Sequence, residues 1–314
     1  MLPERKTPIF AIVKPLLRGK IKQTVLWRKH LMKIYYGSAA YFAYIAAALI
    51  FCAAIYIILR EKEKKTQKCV ILGIMLLNVT QHLLKSFIYP GYEGLGFSAF
   101  NTAYNMCAAL ILVSPIALLF NVRLLRDFVY YAGSFAGIIA IVIPYWHIGA
   151  DALDPEAVRS FICHALLFST SLLPLLLGLH KPSYKCFYKL GLCFILFLCV
   201  IVLNDAVCIA AGIYPGLEGM PIPDALYLAN PVWAFGPPES FSFALNIAKV
   251  FSPDAWVGDN PGGRCLPILW YAVPTYLFIT AVAFFVCTAV DREKFVSDVK
   301  NIHKNGNCKK IKFK

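Results

Sequence analysis

Three side chains that could carry out nucleophilic chemistry lie inside apolar segments, at similar distances from the segment ends. Cys107 is seven residues from the start of one segment, His164 six from the start of another, and Asp205 seven from the end of a third. At 1.5 Å per helical residue, all three lie roughly 10 Å below one membrane surface. A histidine can take the proton of a thiol, and a carboxylate can orient the imidazole. We therefore predict Cys107 as nucleophile, His164 as base and Asp205 as orienting residue.

The depth of these residues indicates what the thiol would attack. Lipid acyl esters lie just below the headgroups, so the thiolate would form an acyl-enzyme that water or a second lipid resolves. A lone Cys or His in a membrane helix more often serves packing or interhelical hydrogen bonding. The prediction therefore depends on three groups that occur together.

Other polar residues inside the apolar segments are candidates for substrate binding. Ionisable groups are costly in a bilayer, which makes them functional candidates, and Asp205 is expected to pair with Lys85, His82 or His164. Two structural interpretations stay open: Lys85 could reach the outer interface, and the asparagines could join helices through hydrogen bonds. We predict four substrate-binding residues: His82, Lys85, Asn105 and Asn204.

A metal site is the weaker interpretation of the same residues. One Cys and two His could bind zinc, but no ligand spacing in the sequence supports such a site. The eleven cysteines are scattered singly and do not form a disulfide framework. We predict no metal and no other cofactor.

The composition indicates what holds these residues in place. Of 314 residues, 59% are hydrophobic and only 15% are charged, which excludes an ordinary soluble domain and predicts an all-α polytopic membrane bundle. Cys107, Ser114 and Asn121 recur every seven residues, so they should share one helix face, with Tyr104 a turn before. Seven membrane-spanning helices are predicted: Ser38–Leu59, Cys69–Tyr89, Phe100–Phe120, Phe128–Trp146, Val158–Leu179, Tyr188–Gly212 and Leu266–Val290.

The distribution of basic residues predicts the topology. The net charge is +14, but the excess lies in the arms and short loops, which indicates contact with membrane lipids rather than nucleic acid. Five Lys and Arg residues in Arg60–Lys68 and eight in the tail fall on one side, which puts the C-terminus in the cytoplasm of a cell-membrane protein. The N-terminal arm, with nine such residues, would lie outside, against the same rule.

We divide the chain into three regions. Residues 1–37 form a basic arm, 38–290 the transmembrane domain, and 291–314 a basic cytoplasmic tail. Residues 213–264 form a long extracellular loop inside the second region. Short helices are predicted near Ile21–Tyr36 and within Pro238–Phe251.

Three stretches together resemble a known family. They are NMCAALILVSPIALLF, SFICHALLFSTSLLPLLLG and LPILWYAVPTYLF. They resemble the YwaF-like bacterial integral membrane proteins, which are similar to the transmembrane protein 164 acyltransferases, over roughly Gly37–Val290. The resemblance implies a membrane-embedded Cys and His that move fatty acyl chains between phospholipids. Those residues fall on Cys107 and His164.

The chain also departs from the family's motifs. A His two residues before the Cys is Asn105 here, a Ser after the Cys is Ala108, and a Gly after the second His is Ala165. A His in the first helix is replaced near Tyr41.

We expect an enzyme that acts on lipid esters, with two rival interpretations. A transporter would use His82, Lys85, His164 and Asp205 along a pathway, but we find no internal repeat in the sequence to support it. A non-catalytic seven-helix sensor would require a separate protein partner, which the sequence does not identify.

Overall fold

The chain folds as an all-α bundle. The computed structural model describes residues 33–88, 96–120, 122–238, 241–258 and 263–305, and the protein is 76% helical with no β-strand in these ranges. A single β-bridge joins Lys33 to Asp151. The helices are α1 (Ala39–Leu59), α2 (Lys64–Ile88), α3 (Met106–Leu119), α4 (Arg123–Val142), α5 (Pro155–Leu176), α6 (Phe187–Ala210), α7 (Ile222–Ala229), α8 (Ser242–Phe251), α9 (Asp254–Val257), α10 (Leu269–Val290) and α11 (Arg292–Asn305).

Six helices in the described residues are long and apolar enough to cross a membrane. They are α1, α2, α4, α5, α6 and α10, of which α4 and α6 are extended by adjoining short 3-10 helices. The all-α prediction is confirmed. The third predicted segment is the exception.

The prediction of an unbroken helix over Phe100–Phe120 was wrong. The α-helix begins only at Met106 and has 14 residues, so it is about 21 Å long against the roughly 30 Å of a bilayer core. A 3-10 turn at Ala99–Asn101 and a non-helical stretch precede it. Tyr104 lies in that stretch and not one helical turn before Cys107, and Asn121 lies outside the described residues.

Two faces of the bundle can be distinguished by their contacts. At the first face, which we call the N-terminal face, the backbone N–H of Ile34 donates to Ala150 O (2.9 Å) and that of Ala99 to Ile213 O (2.9 Å). At the opposite face, which we call the basic face, Lys64 Nζ donates to Leu177 O (2.5 Å). The ion pair between Lys181 and Asp291 (3.2 Å) also lies there.

These contacts place the two ends of the described chain on opposite faces. The chain therefore crosses between the faces an odd number of times, which six long helices alone cannot supply. The third segment must make the remaining passage. It does so as a broken helix, which runs from Ala99 at the N-terminal face to Phe120 at the basic face.

The long loop has ordered structure of its own. It contains α7, α8 and α9, so the predicted short helix within Pro238–Phe251 is confirmed as Ser242–Phe251. Its contacts lead to the start of α10: Trp270 Nε1 donates to Trp233 O (3.0 Å) and Ser252 Oγ to Trp270 O (2.8 Å). Of the helix predicted at Ile21–Tyr36, residues 21–32 lie outside the described ranges, and the remainder is not helical.

Helices α4 and α5 pack closely because α4 carries glycines four residues apart. A Cβ on Gly137 would lie 2.6 Å from the backbone N of Phe168, and one on Gly133 would lie 2.1 Å from Ser171 Oγ. Small residues at this spacing let membrane helices approach backbone to backbone. The contact fixes α5, and with it His164, against α4.

We expect Gly137→Ala to lower the thermal unfolding midpoint by several degrees, because the new methyl group overlaps the α5 backbone. Overpacking of this kind costs about 1–3 kcal/mol. The matched control is Gly73→Ala in α2, where no atom lies within 4 Å of the added Cβ. The control should be neutral or slightly stabilising because alanine favours a helix. Equal effects of the two changes would contradict the close packing.

The last helix, α11, docks on the basic face through Asp298. Lys185 Nζ lies 2.8 Å from a carboxylate oxygen of Asp298, and Tyr184 donates a hydrogen bond to the same carboxylate. The bond from Lys185, followed by that from Tyr184, lowers the pKa of Asp298 below its ordinary value.

This lowered pKa predicts how docking depends on pH. The stabilisation is fully present above the ordinary carboxyl pKa of about 4 and is lost as the pH falls through the lower folded value. We expect the unfolding midpoint to lie higher for the wild type than for Asp298→Asn at pH 7, and the two to converge near pH 3. A difference that grows on acidification would contradict the assignment.

Candidate functional site

The non-helical stretch before α3 is held together by one buried asparagine. Asn101 is fully buried, and its Oδ1 accepts hydrogen bonds from Ser86 Oγ (2.6 Å), Ser98 N (3.0 Å) and Ser98 Oγ (3.2 Å). Its Nδ2 donates to Leu83 O (2.9 Å). The amide therefore ties the 3-10 turn to α2 and supplies an acceptor for the backbone N–H of Ser98, which lies outside any helix.

Predicted substrate-binding residues hold the rest of this stretch. His82 Nε2 donates to Thr102 O (3.0 Å) from α2, and Asn204 Nδ2 donates to Thr102 Oγ1 (2.8 Å) from α6. Lys85 Nζ is 3.4 Å from the hydroxyl of Tyr104 and 4.4 Å from its ring centroid. Polar groups of two membrane helices thus stabilise the break in the third.

Cys107 lies in the first turn of α3. Asn105 is the N-cap of this helix, and its Oδ1 accepts a hydrogen bond from Ala108 N (2.9 Å). Within the described residues, no acceptor binds the backbone N–H groups of Met106 and Cys107. Free N–H groups and the helix dipole make such a helix start favourable for negative charge. Asn105 therefore positions the helix that carries the thiol.

The Cys107 thiol lies in a packed environment. It packs against the main apolar cluster, of which Cys163 of α5 is a buried member. Within the described residues, the thiol makes no hydrogen bond, so it is not bonded to His164. Helices α3 and α5 are in contact, and neither Cys107 nor His164 has an exposed side chain.

His164 has a defined tautomer. Its Nδ1 lies 2.7 Å from the backbone O of Ser160, one turn earlier in α5. A carbonyl oxygen can only accept, so Nδ1 carries the proton and Nε2 keeps its lone pair. The orientation of the imidazole is therefore set within α5, with Nε2 as its acceptor atom.

Asp205 lies apart from this ring. Its Oδ1 accepts from Asn204 Nδ2 (3.1 Å), while its Oδ2 has no hydrogen-bond partner among the described residues, although the side chain is only 1% exposed. It makes no described ion pair with Lys85, His82 or His164. The orienting bond predicted from Asp205 comes instead from the Ser160 carbonyl, because that group lies on the same helix as the imidazole.

Comparison with protein families places this geometry in context. The model of the TMEM164 family matches residues 35–228, which is more than half of the chain. The chain belongs to the TMEM164 family. No curated protein and no solved structure matches it. The region that matches the TMEM164 family includes the broken third segment, Cys107, His164 and Asp205, and it ends within α7.

The sequence analysis did not identify two residues that lie near the site of this TMEM164 family member. Cys163 directly precedes His164, and its carbonyl accepts a hydrogen bond from Asn78 Nδ2 (3.0 Å). Arg159 is 7% exposed and forms a bidentate ion pair with Glu156, with Nε 2.6 Å from Oε2. The i, i+3 spacing of Glu156 and Arg159 in the first turns of α5 was the available signal.

The described residues contain no group of three His, Cys, Asp or Glu side chains that could hold a metal ion. The zinc alternative therefore has no geometric support in this part of the chain. The groups available for chemistry are a thiol, imidazoles, free backbone N–H groups and buried cations.

Proposed function

We propose that the protein is a lipid acyltransferase or lipid-ester hydrolase in which Cys107 is the nucleophile and His164 the base. The observation that carries the proposal is the break in the third segment. A thiol at the second position of a helix that begins within the apolar layer has free backbone N–H groups beside it. Membership of the TMEM164 family agrees with an integral membrane protein embedded in lipid.

The reaction would begin with proton transfer from Cys107 Sγ to His164 Nε2. The thiolate attacks the ester carbonyl carbon and forms an S–C bond, and the oxyanion is stabilised by the N–H groups of Met106 and Cys107. The ester C–O bond then breaks, and the imidazolium returns its proton to the departing alcohol oxygen. Water or the hydroxyl of a second lipid attacks the thioester and regenerates the thiol.

The catalytic pair would come together when substrate binds. The thiol and imidazole are not hydrogen bonded in the described structure, and such bonds often tighten only in the substrate complex. The movement would occur in the stretch 102–105, because it is non-helical and directly precedes the helix that carries Cys107. His82, Lys85, Asn105 and Asn204 would therefore act on the substrate partly by shaping this stretch.

Cationic side chains beside the thiols would bind the headgroup. Lys85 is 1% exposed, and α2 meets α5 at Arg159, whose backbone O accepts a hydrogen bond from Gln81 Nε2 (3.2 Å). A phospholipid phosphate that enters between α2 and α5 would meet Lys85 and would share Arg159 with Glu156, its ion-pair partner. We propose membrane phospholipids as the ligands on this basis.

The proposed orientation follows from the basic face. Arg60, Lys62, Lys64, Lys65 and Lys68 lie in or beside its first loop, and α11 docks on the same face. By the positive-inside rule, we place the C-terminus on the cytoplasmic side of the cell membrane and the proposed site beneath the outer leaflet.

The test is lysophospholipid formation by the full chain in phosphatidylcholine–phosphatidylglycerol vesicles, measured by lipid mass spectrometry. We expect Cys107→Ala to remove the activity, whereas Cys163→Ala, which deletes the neighbouring thiol, should retain at least half. Activity that survives Cys107→Ala and disappears with Cys163→Ala would overturn the assignment of the nucleophile.

One observation favours transport as a second candidate. Asp205 is buried, its Oδ2 has no hydrogen-bond partner in the part of the chain that the structure describes, and a broken helix lies beside it, as in many transporter sites. If the chain were a transporter, Asp205→Asn would abolish solute flux into proteoliposomes and Cys107→Ala would not. The acyl-transfer proposal expects the reverse dependence for lysophospholipid formation.

A further inference from the structure

The basic face contains a crevice that the proposed chemistry does not use. It lies between α11 and the end of α10, is open to the surface and has a volume of about 890 Å³. Three cationic residues line it, Lys181, Arg292 and Lys300, with Glu293 as the one anionic residue of the lining. Because Lys181 is paired with Asp291, Arg292 and Lys300 supply the cationic charge that the lining offers a ligand.

Helix α11 is docked so that one side borders this crevice. The opposite side is anchored by Asp298, which binds Lys185, and by Phe295, whose ring lies 5.3 Å from that of Tyr184. Residues four apart share a helix face, so Arg292, Val296 and Lys300 line the crevice together. Arg292 and Lys300 are thus held on a fixed helix and not on a free tail.

The crevice is amphipathic as well as basic. Val290, the last residue of the membrane-spanning helix α10, is 44% exposed, and Val296 is 37% exposed. Both line the crevice beside its cations. An apolar floor at the end of a membrane-spanning helix, with cations at its rim, corresponds to the level of lipid headgroups.

We propose that this crevice binds the headgroup of an anionic phospholipid such as phosphatidylglycerol. Arg292 and Lys300 bind the phosphate through charge-assisted hydrogen bonds, and the first acyl carbons contact Val290 and Val296. The crevice lies on the basic face, whereas the proposed catalytic residues lie nearer the N-terminal face. It does not depend on the chemistry of Cys107.

The test is native mass spectrometry of the full chain in detergent with phosphatidylglycerol, phosphatidylcholine or glycerol phosphate. We expect phosphatidylglycerol to be retained preferentially. Arg292→Gln with Lys300→Gln, which breaks no ion pair in the described residues, should lower its occupancy at least fivefold. The matched control is Lys62→Gln with Lys65→Gln, which removes the same charge from exposed residues of the same face and should change occupancy less than twofold.

Ser297→Glu provides a second variant, because it adds a charge that repels phosphate at the crevice and removes no ion pair. It should give the same loss of phosphatidylglycerol with an unchanged unfolding midpoint. Equal losses in the crevice and control pairs would show only general charge attraction and overturn the proposal. Binding of glycerol phosphate as tight as that of the lipid would also overturn it, since the site would then recognise a free phosphate.

Discussion

Replacing His164 by alanine is expected to slow acyl transfer about 10²- to 10⁴-fold, the usual contribution of a general base. The reason is the tautomer: Nδ1–H is bound to the Ser160 carbonyl, so Nε2 is the one ring atom free to accept a proton. Initial rates of lysophospholipid formation by equal amounts of reconstituted protein measure the effect.

Two controls separate a base from a packing residue. Ser160→Ala keeps the backbone carbonyl that orients the ring, so its rate should stay within about threefold of the wild type. His147→Gln removes a half-buried imidazole that lies near His164 and should also have little effect. A His164→Ala protein that retains a tenth or more of the rate would exclude this residue as the base.

The second large effect is expected from Asn101→Ala. This change removes the acceptor shared by the Ser98 N–H and the buried hydroxyls of Ser86 and Ser98, together with the hydrogen bond donated to Leu83 O. Leaving buried polar groups without partners costs roughly 1–3 kcal/mol each, so we expect about 3 kcal/mol or more of destabilisation. Activity should fall as well, since the break positions Cys107.

Thermal unfolding in detergent measures this effect, with Ser134→Ala as control. The Ser134 hydroxyl donates to Tyr130 O within its own helix, so its loss removes no tertiary contact. The Asn101 variant should unfold well below this control. If the two variants unfold within about 1 °C of each other, Asn101 does not hold the break.

The long apolar runs and the all-α class could be predicted from the sequence because lipid permits few alternatives. Residues such as those of α1 or α10 must be helical to satisfy their backbone. The third segment is also long and apolar, yet the unbroken helix predicted for it was wrong. Ser98, Asn101 and Asn105 prefer caps and turns to helix interiors, and this local signal marked the break.

The partners within the site could not be predicted because they depend on helix rotation. Adjacent helical residues differ by about 100° around the axis. This difference separates two adjacent residues of α5. Cys163 lies in the main apolar cluster against which Cys107 packs, whereas His164 donates a hydrogen bond to Ser160 O of its own helix. The prediction placed Asp205 beside the imidazole because of its depth alone. In the described structure its carboxylate instead accepts a hydrogen bond from the adjacent residue, Asn204.

The most direct test of the central claim is to identify the acylated residue. The full chain is incubated with phospholipid that carries a deuterated acyl chain, quenched with acid, digested and analysed by peptide mass spectrometry. The account predicts the deuterated acyl mass on the peptide that contains Cys107, and its release by neutral hydroxylamine. Deuterated acyl mass on Cys163 alone, or on no cysteine while lysophospholipid accumulates, would contradict it.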